Sequence, residues 1–232
     1  MVTESARAPA QVGSQTLARG LRALLAVAES DDGTTVQQLA SELDVHRTVA
    51  SRLLRTLASF GLVTRGGDGA YRPGARLATL ADLYIPALRE AALPIMRDLA
   101  DEIGCTVSLF VAERAEAASI ALVEPTTTSW HLKFKAGMRT PIDHGSAGYA
   151  LLAAAPARVD EPPAVTCARE RGYATSHGEV ERGAFGIAAA IPGSQPRACL
   201  NLITYSEDQA KAAEERIVGA AQRLGAVLGF AR

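Results

Sequence analysis

The chain has 232 residues, of which 48% are apolar and 21% are charged, and its formal net charge is −1. This composition is ordinary for a globular protein and argues against a mainly disordered chain. The near-zero charge gives no global signal for a polyanion partner. No apolar run approaches the roughly 18 residues of a membrane span and no signal segment opens the chain, so we expect a soluble cytoplasmic protein. Three widely spaced cysteines cannot form a complete disulfide framework and indicate a reducing compartment.

The first 75 residues predict three helices followed by a hairpin. Apolar residues recur at helical spacing in three segments, residues 14–30, 34–43 and 46–60. Ser14 suits the start of the first helix, Thr34 or Thr35 the start of the second, and Gly61 the end of the third. Two short strands then flank a glycine-rich turn, at residues 62–65 and 70–72.

The third helix has a polar face opposite its apolar one, and positive charge concentrates around it. Residues 44–76 contain six arginines and two aspartates, a net charge of +4. Two helices joined by a tight turn, followed by a hairpin, predict a helix-turn-helix with a wing. Arginine can donate two hydrogen bonds to guanine, and serine or threonine can reach base edges or phosphates. A three-helix bundle with a solvated third helix is the simpler alternative. The predicted DNA contacts are Thr35, Arg47, Thr48, Ser51, Arg52, Arg55, Arg65 and Arg72.

A helical segment leads from this region into alternating strands and helices. We predict a helix at residues 76–90 and expect Pro86 and Pro94 to start or interrupt helices. The apolar stripe of this segment fits either an intramolecular core or a dimer seam. The predicted strands are residues 105–111, 119–124, 130–135, 184–191 and 197–205. The predicted helices are residues 146–155, 164–172 and 206–228. This arrangement predicts an α+β domain with a largely antiparallel sheet.

Five fragments in order make the chain resemble IclR-type transcriptional regulators; they are residues 14–21, 39–57, 135–142, 145–150 and 171–191. The resemblance implies a winged helix-turn-helix domain joined by a linker helix to a GAF-like α/β sensor domain. The expected boundaries are a disordered tail at 1–13, the DNA-binding domain at 14–75, the linker helix at 76–90 and the effector-binding domain at 91–232. It also implies a homodimer or dimer of dimers on a palindromic double-stranded operator.

The resemblance further implies a small-molecule effector that changes operator affinity. The implied effector contacts are Leu132, Phe134, Ser146, Ala147, Gly148, Ser176, Gly186, Asn201 and Ile203. Free N–H groups at the start of the helix at 146 suit a carboxylate. Tyr149 stands where the family usually has lysine, and residues 176, 186 and 203 also depart from the usual pattern. We therefore expect a less polar pocket that takes an aromatic or larger organic acid.

No motif indicates a catalytic residue, a metal site or a cofactor. His131, His144 and His177 lack metal-ligand spacing, and Glu179 and Glu181 beside Arg182 fit a loop interaction better than an acid–base pair. Two other functional classes remain open at this point. One is a GAF-like enzyme in which Cys105 and His131 serve as nucleophile and base, and the other is a winged-helix protein-interaction adaptor.

Overall fold

The computed structural model describes residues 13–126 and 137–229, and the chain divides into two compact units, Met1–Tyr84 and Ile85–Arg232. The predicted tail up to residue 12 and the predicted strand at 130–135, with Leu132 and Phe134, lie outside the described residues. No helix in the described ranges combines the length and hydropathy that crossing a membrane requires.

The first unit is a small helical domain with a two-stranded hairpin. Its elements are α1 (Gln15–Glu29), α2 (Val36–Glu42), α3 (Arg47–Ser59), β1 (Val63–Arg65), β2 (Tyr71–Pro73) and α4 (Arg76–Asp82). The three helices and the hairpin share one core, which includes Val27, Leu39, Leu54 and Val63. Thr34 forms an isolated bridge with Tyr71 of β2, and this bridge ties the start of α2 to the hairpin. The helix-turn-helix and its wing are therefore one packed body.

The face of α1 that enters this core is made mainly of small residues. Ala23, Ala26 and Val27 are buried and Leu24 is partly buried against the same core, whereas the other leucines of α1 are exposed. Leu17, Leu21 and Leu25 are 63%, 52% and 58% exposed. An apolar stripe at helical spacing marks one face of a helix, but it does not say what that face contacts.

The second unit is built on a six-stranded antiparallel sheet in the order β5-β4-β3-β8-β7-β6. Its strands are β3 (Thr106–Glu113), β4 (Glu116–Val123), β5 (Arg139–Pro141), β6 (Ala174–His177), β7 (Phe185–Ala190) and β8 (Ala198–Thr204). Its helices are α5 (Pro86–Ile103), α6 (Gly145–Ala153), α7 (Pro163–Arg171) and α8 (Glu207–Val227). This confirms the expected α+β class with an antiparallel sheet.

Helices cover both faces of this sheet. α5 and α8 pack on one face through a cluster that includes Met96, Leu200 and Ile217. α6 and α7 pack on the other face through a cluster that includes Leu151 and Cys199. Because strand side chains alternate between faces, Cys199, Asn201 and Ile203 of β8 all point to the α6 side. The two predicted site residues of β8, Asn201 and Ile203, therefore lie on the same face of the sheet, beside α6.

Three details differ from the sequence expectations. The segment at 76–90 is not one helix, because Ile85 adopts a left-handed conformation (φ 48°) between α4 and α5. Pro86 does begin α5, but Pro94 lies inside that helix without ending it. Pro94 is exposed while the helix is anchored by buried Ala92 and Met96, so the missing N–H falls on the solvent side. The strands β5 and β6 were not predicted, because three or four residues are too few to show an alternation of apolar and polar side chains.

Candidate functional site

The exposed side of α3 presents three guanidinium groups to solvent. Ala50, Leu54 and Leu57 turn toward the core, which places the arginines on the opposite side, as 3.6 residues per turn requires. Arg47, Arg52 and Arg55 are exposed, and within the described residues no hydrogen bond or ion pair engages them. Thr48 is also exposed and Ser51 is half-buried between them. The predicted contacts of α3 therefore form one continuous surface, which we call the α3 face.

Both helices of the motif have well-formed N-termini. Thr35 caps α2 in a capping box, since its hydroxyl accepts from Gln38 N–H while the Gln38 side chain accepts from Thr35 N–H at 2.8 Å. His46 caps α3, with Nδ1 accepting from Thr48 N–H at 3.3 Å and lying 2.9 Å from the Thr48 hydroxyl. Asp44 makes the tight turn with φ 49°. Thr35 thus has a structural role in fixing α2, beside its predicted DNA contact.

The two wing arginines are in different situations. Arg72 makes two hydrogen bonds to the Asp68 carboxylate, of 3.1 and 2.6 Å, and one to the carbonyl of Asp32 at 2.9 Å. This pairing lowers the pKa of Asp68 to about 2, mainly through the Arg72 hydrogen bond. Arg65 is exposed and has its guanidinium 5.9 Å from the centre of the Tyr71 ring. Arg65 is therefore available to a phosphate, whereas Arg72 fastens the hairpin turn to the loop after α1.

A pocket opens in the second unit between the sheet and the start of α6. Its cavity volume is about 30 Å³, roughly the space of one water molecule. The described residues that line it are Phe110, Met138, Thr140, His144, Gly145, Ser146, Ala147, Ser176, Glu179, Val180, Glu181, Ala184, Gly186, Asn201 and Ile203.

The floor of the pocket is a small buried polar cluster. The Ser146 hydroxyl donates to Asn201 Oδ1 at 2.7 Å, and Ser146 N–H donates to the Ser176 hydroxyl at 3.0 Å. Gly186 lies against both serines, since a Cβ at this position would come within 2.4 Å of Ser146 Oγ and 2.8 Å of Ser176 Oγ. Only glycine leaves this arrangement undisturbed. The polar groups of the floor are thus fixed before any ligand arrives.

The rim of the pocket carries a carboxylate that the sequence assigned to a loop. Glu179 Oε2 accepts from Gly145 N–H at 2.9 Å and from the Tyr149 hydroxyl at 2.7 Å. Burial and this carboxylate raise the pKa of Tyr149 to about 12, so the hydroxyl stays protonated at neutral pH. The N–H groups of Gly145 and Ser146 are therefore not free, contrary to the expectation of an open helix start.

Six of the nine predicted effector contacts lie together in this pocket: Ser146, Ala147, Ser176, Gly186, Asn201 and Ile203. Gly148 is not among the described lining residues, and its backbone packs where a Cβ would come within 2.3 Å of the Ile142 carbonyl oxygen. Leu132 and Phe134 lie outside the described residues. Sequence reasoning did not find Phe110 or Met138 as lining residues, because they come from β3 and from the approach to β5, and only tertiary packing brings them there.

Cys105, the nucleophile of the enzyme alternative, does not have the surroundings of a reactive thiol. Cys105 is buried, its Sγ lies 3.7 Å from the carbonyl oxygen of Ile103, and burial raises the pKa of its thiol. A reactive cysteine needs a lowered thiol pKa, because the thiolate is the nucleophile. His131 lies outside the described residues. Across residues 13–126 and 137–229, no group of three or more His, Cys, Asp or Glu side chains is placed to hold a metal ion.

Two family models match the chain, one in each unit. The model of the IclR helix-turn-helix domain matches residues 16–67, and that of the bacterial transcriptional regulator IclR C-terminal domain matches residues 83–161. Together they cover more than half of the chain. The chain belongs to the IclR family. The family is one of transcriptional regulators, and a helix-turn-helix unit followed by an α/β unit with an antiparallel sheet is the fold that this chain shares with solved IclR regulators.

Individual IclR-family proteins agree with this assignment. The chain is 29% identical over 152 residues to the transcriptional repressor IclR of Escherichia coli, an alignment that covers 64% of this chain and 56% of the repressor. The chain thus spans little more than half the length of that relative. Its fold matches an IclR regulator from Alicyclobacillus acidocaldarius with a TM-score of 0.72 and 22% identity, covering 93% and 99% of the two chains.

A further structural neighbour was solved with a ligand. It is an IclR homologue from Microbacterium hydrocarbonoxydans in complex with 4-hydroxybenzoate. The TM-score is 0.72 and the identity is 24%, and the match covers 92% of this chain and 99% of that one. At this identity the comparison establishes a shared fold.

Proposed function

We propose that this protein is a sequence-specific DNA-binding transcriptional regulator whose operator affinity is modulated by a small organic ligand. The observation that carries the proposal is the α3 face, where three arginines point into solvent beside Thr48 without intramolecular partners among the described residues. A guanidinium without such partners can donate two parallel hydrogen bonds to guanine or phosphate. Membership of the IclR family supports the same reading.

In this proposal the α3 face enters the major groove and the wing contacts the backbone. Arg52 reads a base, with Arg47, Thr48, Ser51 and Arg55 around it. Arg65 neutralises a phosphate. We assign Thr35 and Arg72 mainly to positioning, since the first caps α2 and the second closes the hairpin.

For the ligand site we propose the pocket beside α6. Phe110, Met138 and Ile203 offer apolar contacts over a floor of fixed polar groups, the composition typical of small-molecule sites. An aromatic ligand is supported by the 4-hydroxybenzoate complex of the Microbacterium relative. Because the cavity holds about 30 Å³, an aromatic ring enters only when wall side chains or the loop at 178–183 move. These observations support an aromatic ligand but not a particular ligand charge. The sequence predicts an acid, whereas the rim of the pocket already contains the carboxylate of Glu179.

A regulator is favoured over an enzyme by the state of Cys105, whose thiol is buried with a raised pKa. We also propose that the protein acts as a homodimer or dimer of dimers on a palindromic site. Leu17, Leu21 and Leu25 support self-association, since they form an exposed apolar row on α1. Light scattering of the purified chain checks this part, and a monomer at micromolar concentration contradicts it.

The test of DNA recognition is selection from a random duplex pool by the full chain at near-physiological salt, followed by sequencing. We expect a palindromic motif whose binding weakens steeply with added salt, because several phosphates are contacted. The selection is then repeated with a pool of aromatic metabolites.

Two variants make this selection decisive. The double variant R47A/R52A removes two guanidinium groups from the α3 face, and R223A removes an arginine that is likewise exposed, from α8, as the control. We expect R223A to recover the motif and the double variant to recover none. Equal recovery by both variants, or no motif from the wild type with or without ligand, contradicts the proposal and favours the protein-interaction adaptor.

A further inference from the structure

The mouth of the pocket contains a negative charge that the fold holds in place. Glu179 lies 34 positions from Gly145 and 30 from Tyr149 in the chain, yet one of its oxygens accepts from both. Its other oxygen, Oε1, has no hydrogen-bond partner among the described residues. The loop between β6 and β7 thus presents an acceptor at the mouth that is oriented by two donors.

This arrangement removes the donors that an acidic ligand would use. The start of α6 offers N–H groups at Gly145 and Ser146, of the kind that bind anions. Gly145 N–H already binds the Glu179 carboxylate, and Ser146 N–H binds the Ser176 hydroxyl. A ligand carboxylate at this end of the pocket would compete with Glu179 for the same hydrogen bond and face its charge at close range.

No cation in the described lining compensates this charge. The lining contains Glu179 and Glu181 but neither lysine nor arginine within residues 13–126 and 137–229. Its only basic side chain is His144, whose Nδ1 lies 2.8 Å from Asp143 Oδ1. Lys133 and Lys135 lie outside the described residues.

We propose that Glu179 sets the charge of the effector, so that the pocket takes an aromatic compound presenting an N–H or O–H donor, such as an amide, amidine or amine, and discriminates against the carboxylate of the same shape. The inference rests on the proposed ligand site and proposes a different ligand charge from that of the acid expected from the sequence. Tyr149 is a positioning residue, because its protonated hydroxyl orients the Glu179 carboxylate toward the mouth. Glu179 contacts the ligand through Oε1.

The experiment uses three compounds of the same shape that differ in the charge and the hydrogen-bond donors of one group: benzoate, benzamide and benzamidine. Their Kd values for the full chain are measured by calorimetry at pH 7. For the wild type we expect the amidine to bind about 10-fold or more tighter than the benzoate, with the amide between them, since a hydrogen bond to a charged group has about this effect. In E179Q we expect that ratio to shrink about 10-fold or to invert.

The matched control is E181Q, which removes a second carboxylate of the rim that makes no hydrogen bond to α6. We expect it to change the ratio less than about 3-fold. Benzoate binding tightest to the wild type, or equal ratios in wild type and E179Q, overturns the proposal. Binding of none of the three compounds up to millimolar concentration also overturns it, whereas the DNA selection tests the regulator function independently of this outcome.

A second variant covers the case in which E179Q does not fold. Y149F keeps the Glu179 charge and removes the hydroxyl that donates to it, and it leaves the aromatic ring in the α6 cluster. We expect Y149F to preserve the order of the three compounds but to bind the amidine a few-fold more weakly, because the carboxylate loses one of the two donors that orient it. A change of order in favour of the benzoate overturns the proposal.

Discussion

The α3 face of the first unit and the end of α6 in the second unit use arginine in opposite ways. On the α3 face, Arg47, Arg52 and Arg55 have no partners among the described residues. In the second unit, Arg169 donates to both oxygens of Glu161 and to three carbonyls at the end of α6, those of Leu152, Ala153 and Ala155. Arginine content alone therefore does not locate a nucleic-acid surface. What distinguishes the α3 face from Arg169 is whether the guanidinium donors are already satisfied within the fold.

The largest expected effect comes from removing the unsatisfied donors. R47A/R52A is expected to lower operator affinity by about 100-fold or more, since each bidentate contact contributes roughly 1–3 kcal/mol. R52A alone is expected to relax the preference at one base position. The thermal midpoint should change little, because neither side chain contacts another described residue through a hydrogen bond or ion pair. Gel-shift titration on operator variants measures both effects, and equal losses on every variant would show that Arg52 does not read a base.

The satisfied arginines are expected to behave in the reverse manner. R169A removes the group that closes the C-terminus of α6 and pairs with Glu161, whose side chain is only 12% exposed. We expect a loss of about 2–4 kcal/mol in unfolding free energy, because carbonyls and a carboxylate lose their partner together. Denaturant unfolding measures the loss. The operator affinity of the folded variant should stay within about 2-fold of the wild-type value. A large drop in affinity in a fully folded variant would contradict the assignment of Arg169 to a purely structural role.

The sequence predicts the first unit more completely than the pocket of the second unit. The helix-turn-helix could be predicted because its signals are local: periodic apolar residues in α3, the cap at Thr35 and glycines in the hairpin. The pocket residues Ser146, Ser176 and Asn201 were found only through the family resemblance. The sequence correctly predicts that Glu179 lies in a loop, but it does not show the partners of this residue, because they are 30 or more positions away. Contacts over that distance depend on strand order, which no local pattern encodes.

The wing offers the same contrast at smaller scale. R65A is expected to weaken binding about 2- to 5-fold on all operator variants alike and to reduce the salt slope by roughly 0.9, the value for one phosphate contact. Arg65 is exposed and only lies over the Tyr71 ring, so stability should be nearly unchanged. Affinity measured at several salt concentrations gives the slope. A slope equal to that of the wild type would mean that Arg65 does not contact a phosphate.

The smallest expected effect concerns the pKa of Asp68. This pKa tests whether the Arg72 guanidinium is bound to Asp68 in the wing, as the Arg169 guanidinium is bound to Glu161. The pKa of Asp68 is lowered from 3.8 to about 2, chiefly by the Arg72 hydrogen bond and then by Ala70 N–H. Because the folded pKa lies below the unfolded one, the pair stabilises the wing fully above about pH 4, and this stabilisation is lost as the pH falls through about 2. We therefore expect the carboxyl resonance of Asp68 in NMR to titrate near pH 2, and its midpoint to rise toward 3.8 in R72A. A wild-type midpoint near 3.8 would mean that Arg72 leaves Asp68 in solution, and Arg72 would then join Arg65 as a group free to bind a phosphate.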